Sequence, residues 1–387
     1  VQQAELIPLR LSATRESYGR LRKAQRAHSF PTAAERQDWL DRLERVLVEN
    51  ASRFVEAIDA DFGSRSRHET LLVDVMATLE SVRDARRHVA RWMAPRPKPP
   101  SPYFRPGRAW VEPLPLGVVG IIAPWNYPVN LLLSPLVAAL AAGNRAILKP
   151  SELTPRTSEL LGETLRGRFS ADEIAVVEGG ADVAAEVARL PLDHLFFTGS
   201  NGVGKRVALA AAENLVPVTL ELGGKSPAWI QTDYPIARAA ERIMLGKLFN
   251  AGQTCIAPDY VLVAHGRERE FGAAFSAAAM QAYPDLPRGR DYSAIVSSAH
   301  RARLASLLDD AMRRGARVEQ VGPPADPASG KLTPVLVFDV TPEMRVMQEE
   351  LFGPILPVIG YPTPAEARER IMAAPRPLAF YYFDEVA

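Results

Sequence analysis

The sequence predicts an α/β protein in which a dinucleotide-binding domain with a parallel sheet precedes a second, catalytic α/β domain. Three observations carry that expectation. Short apolar runs alternate with segments of helical period between residues 116 and 221, the pattern of parallel strands joined by crossover helices. A glycine-rich turn, Gly199-Ser200-Asn201-Gly202-Val203-Gly204, follows one of those runs and opens a helix. The chain has 387 residues, 47% of them hydrophobic and 24% charged, which is enough apolar material for two or three domains with cores of their own.

Residues 32–60 read as an amphipathic helix. Thr32 and Glu35 have the spacing of a capping box, and Trp39, Leu40, Leu43, Val46, Leu47, Phe54, Val55 and Ile58 recur at helical intervals until Gly63. A second helix is expected over 67–93, with Leu71, Leu72, Val75, Met76, Leu79, Val82 and Val89 on its buried side and the arginines on a solvated face. Eight prolines between Pro95 and Pro115 then stiffen a connector, with 99–113 also an oligomerisation segment. Beyond it the expected order is strand 116–122, helix 134–142, strand 145–149, helix 155–168, strand 174–178, helix 181–189, strand 194–198, helix 203–213 and strand 216–221. A less regular continuation places strands near 227–231, 260–264, 334–338 and 355–360 and helices near 235–249, 267–282 and 298–314. The domains expected are therefore 1–98 with 114–223 for the dinucleotide and 224–387 for catalysis. The apolar run Leu378 to Phe383 lacks a closing element before Ala387, so the chain reads as cut short.

Charge excludes several classes of function. Lys and Arg total 46 against 45 Asp and Glu, a formal charge of +1 that suits neither nucleic acid nor an anionic membrane. The segment before Arg10 has too few apolar residues for a signal peptide. Pro113 to Asn144 is free of charge, but Pro115, Pro124, Pro128 and Pro135 forbid one spanning helix. Cys255 is the single cysteine, so an intrachain disulfide is impossible; a reducing, cytoplasmic setting fits. No histidine or acid spacing suggests a metal site.

Five short motifs hold residues that could do chemistry. The turn Gly199 to Lys205 nearly matches a nucleotide-triphosphate loop, but Arg206 replaces the hydroxyl that would ligate magnesium; a dinucleotide phosphate or an ordinary turn remains. Lys149 and Glu152 in Lys149-Pro150-Ser151-Glu152 can bond the two hydroxyls of a ribose, or form a charged turn. Cys255 in Gly252-Gln253-Thr254-Cys255 is either a small core residue or a nucleophile. Its polar neighbours favour a loop and hence the second, and His265 or His300 could then serve a cysteine hydrolase. Glu221 ends an apolar strand before Gly223-Gly224, as a base or as the ion-pair partner of Lys225. Asn126, in Pro124-Trp125-Asn126-Tyr127-Pro128, offers an amide on a turn fixed by two prolines.

Taken together with Glu349-Glu350-Leu351-Phe352-Gly353-Pro354, these motifs resemble, in order and separation, the NAD(P)-dependent aldehyde dehydrogenase superfamily over roughly residues 12–387. The stretches 211–227, 250–263 and 346–358 are similar to its class 3 branch and, within it, to the members that oxidise coniferyl aldehyde. The resemblance implies Cys255 as nucleophile, Glu221 as general base, and Asn126 with the Cys255 N–H as oxyanion donors. It further implies cofactor contacts at Lys149, Glu152, Gly199, Ser200, Gly204, Leu222, Glu350 and Phe352, with NAD preferred because of Glu152 and NADP possible. An aldehyde would become a carboxylic acid through a thiohemiacetal and a thioester, without a metal. Aromatic aldehydes come first and medium-chain aliphatic ones second. Relatives continue past the equivalent of Ala387 through an active-site segment and a strand that joins a second subunit, so a homodimer is implied where that segment is present.

Overall fold

The computed structural model describes residues 2–385, with side chains from residue 11 onward. The expectation about the side chains before Arg10 and that about the end at Ala387 fall outside that description. Two compact units emerge: one runs to Ile58 and resumes at Thr70–Glu221, and the other comprises Asp59–Glu69 and Leu222 onward.

Along the chain come α1 (Gln2–Ala27), α2 (Ala33–Phe62), α3 (Arg67–Glu69), a π-helical stretch (Thr70–Met76) and α4 (Ala77–Met93). The α2 capping box forms as the spacing requires: the Glu35 carboxylate accepts the Thr32 N–H at 2.7 Å, and Thr32 Oγ1 accepts the Glu35 N–H at 3.3 Å. Its eight expected apolar residues are all buried. Each such side chain contributes about 1.5–3 kcal/mol on leaving water.

The next helical segment departs from expectation. Leu72 and Met76 are exposed, whereas Asp74 and Thr78 are buried. The π-helical stretch widens the turn by one residue, which rotates the buried face away from the leucine stripe.

The Pro-rich segment carries a short antiparallel pair, β1 (Arg96–Lys98) and β2 (Ala109–Val111), with every residue exposed. The first unit's sheet then follows: β3 (Val118–Ile122), α5 (Asn130–Ala141), β4 (Arg145–Lys149), α6 (Pro155–Arg166), β5 (Ile174–Val176), α7 (Ala181–Ala188), β6 (His194–Gly199), α8 (Asn201–Ala212) and β7 (Val218–Leu222). The order is β5-β4-β3-β6-β7, with β3 paired in parallel to both β4 and β6. The sequence direction reverses between β3 and β6, which makes the carboxyl ends of those two strands the crevice of the sheet. Helix α5 begins four residues earlier than its Pro135 suggests. Asp74 Oδ1 accepts the N–H groups of Val129 and Asn130, both at 3.1 Å, and so caps α5 from a distant part of the chain.

The second unit contains β8 (Pro227–Ile230), α9 (Ile236–Leu248), β9 (Tyr260–Ala264), α10 (Glu268–Ala282), α11 (Ser298–Arg313), β10 (Arg317–Gln320), β11 (Val335–Phe338), α12 (Arg345–Gln348), β12 (Ile355–Tyr361), α13 (Pro364–Ala373) and β13 (Tyr381–Phe383). Its sheet order is β10-β11-β12-β9-β8-β13, antiparallel only at β10. Val261 and Val263 enter one core while Tyr260 and Leu262 enter the other, the alternation of a strand covered on both faces. Because β8, β9 and β12 are parallel, the segments that precede them meet at one edge of the sheet.

Candidate active site

In the first unit the expected residues lie at the carboxyl ends of four strands. After β3 comes the turn that holds Asn126, which is only 2% exposed. Its flanks are tied by the Ala123 N–H to Lys149 O at 3.1 Å and by the Asp74 cap just beyond. After β4, Lys149 is buried, and its Nζ donates to Glu152 Oε2 at 2.8 Å and to Pro150 O at 2.9 Å. The Glu152 side chain itself is half exposed. After β6, Ser200 precedes the first turn of α8, and its carbonyl accepts the Gly204 N–H at 2.9 Å. Gly199 is required there, since a Cβ would sit 2.6 Å from the Phe197 ring. In β7, Glu221 is exposed. In the second unit the Lys225 ammonium is engaged by Asp259 Oδ2 at 2.5 Å and by the carbonyls of Val346 and Glu349.

In the second unit three segments meet at the amino-terminal edge of the sheet. Leu222-Gly223-Gly224 precedes β8, the cysteine loop precedes β9, and Glu350 to Gly353 precedes β12. Glu350 leans over Gly223, where a Cβ would lie 2.2 Å from both carboxylate oxygens. Burial pushes the Glu350 carboxyl up to about 7, and the nearby Asp259 adds to the rise; the Gly224 N–H, Lys225 and Arg303 oppose it. Asp259 anchors the same segment by accepting the Leu351 N–H at 3.0 Å. Phe352 has φ 50°, a strained value for a side chain of its size.

The cysteine loop is the most constrained of the three. Asn250 (φ 49°) and Ala251 (φ 51°) both adopt left-handed backbone, and Gly252 (φ 76°) follows. Each of the first two costs about 1–2 kcal/mol, which the surroundings must offset. Gln253, fully buried, does much of this: its Nε2 donates to Asn250 O and Ala294 O, both at 3.0 Å, while its Oε1 accepts the Val296 N–H at 3.0 Å. Gly252 abuts the Glu350 segment, since a Cβ there would be 2.3 Å from Gly353 O. Cys255 emerges half-buried. Next to it the Tyr381 hydroxyl donates to Ile256 O, and burial followed by the neighbouring Cys255 raises that phenol's pKa.

The hydrolase alternative loses one of its two bases. His265 follows β9 whereas Cys255 precedes it, so a five-residue strand, roughly 17 Å, separates their segments. His300 lies in the first turn of α11, and burial, then Arg303, holds its imidazole below the usual value.

Three side chains of this region escaped the sequence reading. Lys247 is buried, its Nζ has no hydrogen-bond partner among the described residues, and burial pulls its amine down to about 8. Asp259, just before β9, and Glu69, at the end of α3, hold the loops just described. Only the mismatch of a charge in an apolar helical stripe could have pointed to Lys247, and nothing in local spacing points to the other two.

A cysteine on a strained, over-determined turn at the edge of one α/β unit, and a glycine turn at the switch point of another, define the class. The sequence pattern of the aldehyde dehydrogenase family matches residues 13–374, and the chain belongs to that family. It is an NAD(P)-dependent aldehyde dehydrogenase by that membership. Among its relatives, the probable coniferyl aldehyde dehydrogenase of Pseudomonas aeruginosa is 46% identical over 95% of this chain and 76% of its own length. The coniferyl aldehyde dehydrogenase of Pseudomonas sp. strain HR199 is 43% identical over 95% of this chain and 77% of its own. A substrate-bound aldehyde dehydrogenase of Staphylococcus aureus superposes with a TM-score of 0.92 at 37% identity, covering 96% of this chain and 81% of that one. The sequence-based fold class is the one found. Among the described residues, no helix is long and apolar enough to cross a membrane.

Proposed function

We propose that the protein oxidises an aromatic aldehyde of the coniferyl type to its carboxylic acid with NAD, through a covalent intermediate on Cys255. The observation that carries this reading is the Cys255 loop, a single cysteine held half-buried by a strained turn against the Glu350 segment. Relatives that carry the name coniferyl aldehyde dehydrogenase support the substrate. The residues at the strand ends fit a dinucleotide: the turn into α8 offers backbone donors, with open space over Gly202, and the Glu350 carboxylate lies against the bare backbone of Gly223. Lys149 and Glu152 would hold the adenosine ribose, and Gly199, Ser200 and Gly204 the pyrophosphate. Glu350 would hold the nicotinamide ribose, with Leu222 and Phe352 beside the ring. Glu152 favours NAD, because its carboxylate repels a 2′-phosphate. When bound, the cofactor supplies the hydride acceptor.

The chemistry of the chain's own groups follows. The Cys255 thiolate adds to the aldehyde carbon, and the carbonyl electrons move onto oxygen, where the Asn126 amide and the Cys255 N–H donate. Loss of hydride leaves a thioester on Cys255. Glu221 removes a proton from water, the hydroxide adds, the C–S bond breaks and the acid departs. A reducing cytoplasm keeps the thiol available.

The test mixes the protein with NAD or NADP and coniferyl aldehyde, benzaldehyde or hexanal, and follows reduced-nicotinamide absorbance. Coniferyl aldehyde with NAD should give the highest kcat/KM. A preference for hexanal would select the aliphatic alternative, and thioester hydrolysis without nicotinamide reduction would select the hydrolase. Cys255→Ala should abolish oxidation while it leaves NAD affinity nearly unchanged; retention of more than about a few per cent of turnover, far above the loss expected for a missing nucleophile, refutes the assignment.

A further inference from the structure

Glu69 is a buried carboxylate that none of the motifs accounts for. It ends α3, 181 residues before Asn250, yet its Oε2 accepts the Asn250 N–H at 3.0 Å. The same oxygen accepts from Ser293 Oγ at 3.3 Å, and Arg65 Nε lies 3.7 Å away. Asn250 is the first residue of the left-handed turn, and its own side chain donates to Gln253 O at 3.1 Å. Ser293 adjoins Ala294, whose carbonyl receives the Gln253 amide, so Glu69 ties together both strands of chain that Gln253 bridges. An anion is the strongest acceptor available for such amide and hydroxyl donors.

We propose that Glu69 is a positioning residue: its carboxylate fixes the Asn250 N–H and thereby the left-handed turn Asn250–Gly252 that presents Cys255 to the aldehyde. The proposal rests on Cys255 as the nucleophile. Glu69 touches neither the thiol segment's reactive end nor the expected cofactor residues, so its removal acts on the first chemical step and spares NAD binding. The charged and titratable groups that face it are Arg65 on its own segment, Asp291 beside Ser293, and the phenols of Tyr283 and Tyr292. Burial pushes the Glu69 carboxyl up to about 7, against the pull of Arg65 and of the two donors.

The experiment compares Glu69→Gln, which keeps an acceptor oxygen, with Glu69→Ala in the whole protein. It reads the rate of the first-turnover NADH burst, NAD affinity and Tm, together with Cys255 alkylation by iodoacetamide against pH. Glu69→Ala should slow both the burst and alkylation by about tenfold to 10²-fold, the scale of an ångström-sized misplacement of a reacting group. Glu69→Gln should stay within about threefold of wild type, because an amide oxygen still accepts the Asn250 N–H although less strongly than the anion does, and NAD affinity should stay within about twofold in both. Wild-type alkylation should show an inflection near 7 that the Gln variant lacks. A normal burst in Glu69→Ala overturns the proposal, and so does an equal loss in both variants that follows their Tm. If the Ala variant does not fold, the Gln profile decides, and an unchanged inflection overturns it. Turnover by Cys255→Ala would instead overturn the nucleophile reading; a dead Cys255→Ala beside a fully active Glu69→Ala removes only the role of Glu69.

Discussion

Gly252→Ala tests whether the cysteine loop is placed by its contact with the Glu350 segment. The added Cβ would lie 2.3 Å from Gly353 O, 2.7 Å from Gly353 C and 3.1 Å from Lys247 O. A carbon and a carbonyl oxygen settle no closer than about 3.3 Å, so one of two backbones must retreat by roughly 1 Å. Neither is the flexible end of a side chain. The residue would also keep φ near 76°, which costs an alanine about 1–2 kcal/mol. Relief of the clash by overpacking adds about 1–3 kcal/mol. The expected loss of stability is therefore about 2–5 kcal/mol, by addition of those two ranges. Either retreat displaces Cys255 from Glu350, and a shift of about 1 Å at reacting groups lowers the rate about 10²-fold. Urea unfolding measures the first quantity and the stopped-flow NADH burst the second, in protein shown by circular dichroism to be folded. A variant with a burst rate within about threefold of wild type, despite the expected drop in stability, would refute the reasoning, because placement would then not depend on this contact.

The remaining predictions concern three carboxylates. Glu221→Gln should still give a burst of at most about one NADH per site but depress steady turnover by about 10²-fold or more, the scale of a lost general base; a vanished burst would assign Glu221 an earlier role. Glu152→Ala should move the NAD/NADP ratio of kcat/KM toward NADP by about fivefold, since two unit charges about 4 Å apart in water repel by about 1 kcal/mol; an unchanged ratio removes Glu152 from cofactor choice. Glu350, with its carboxyl raised to about 7, is neutral below that pH, so NAD affinity measured by fluorescence should weaken from pH 8 to pH 6 in wild type and stay flat in Glu350→Gln. The stability linkage has the opposite sense. A carboxyl raised on folding stabilises the protein below its unfolded value near 4.5, and that contribution is lost as pH rises through about 7. Glu350→Gln should accordingly gain stability over wild type above pH 7, and a constant difference from pH 5 to pH 8 would contradict the buried position of the carboxylate.

The sequence by itself determined the elements whose signal is local. The Thr32–Glu35 box and the apolar stripe of α2, the buried run of β3 and the strand at 260–264 fold as their patterns require, because periodic burial leaves a periodic trace. The glycine turn before α8 and the lone cysteine in a polar loop were legible for the same reason, and together with four further motifs they marked the family. Tertiary structure decided what depends on distant partners. Asp74 caps α5 across 56 residues, and the π-helical stretch that aims it there exposes Leu72 and Met76, against their hydrophobicity. Lys225 reaches Asp259, 34 residues away, and Glu69 reaches Asn250 across 181. Such contacts satisfy buried donors and charges through space, where the chain's local period says nothing; strand order alone gathers Gly223, Cys255 and Glu350 at one edge of a sheet.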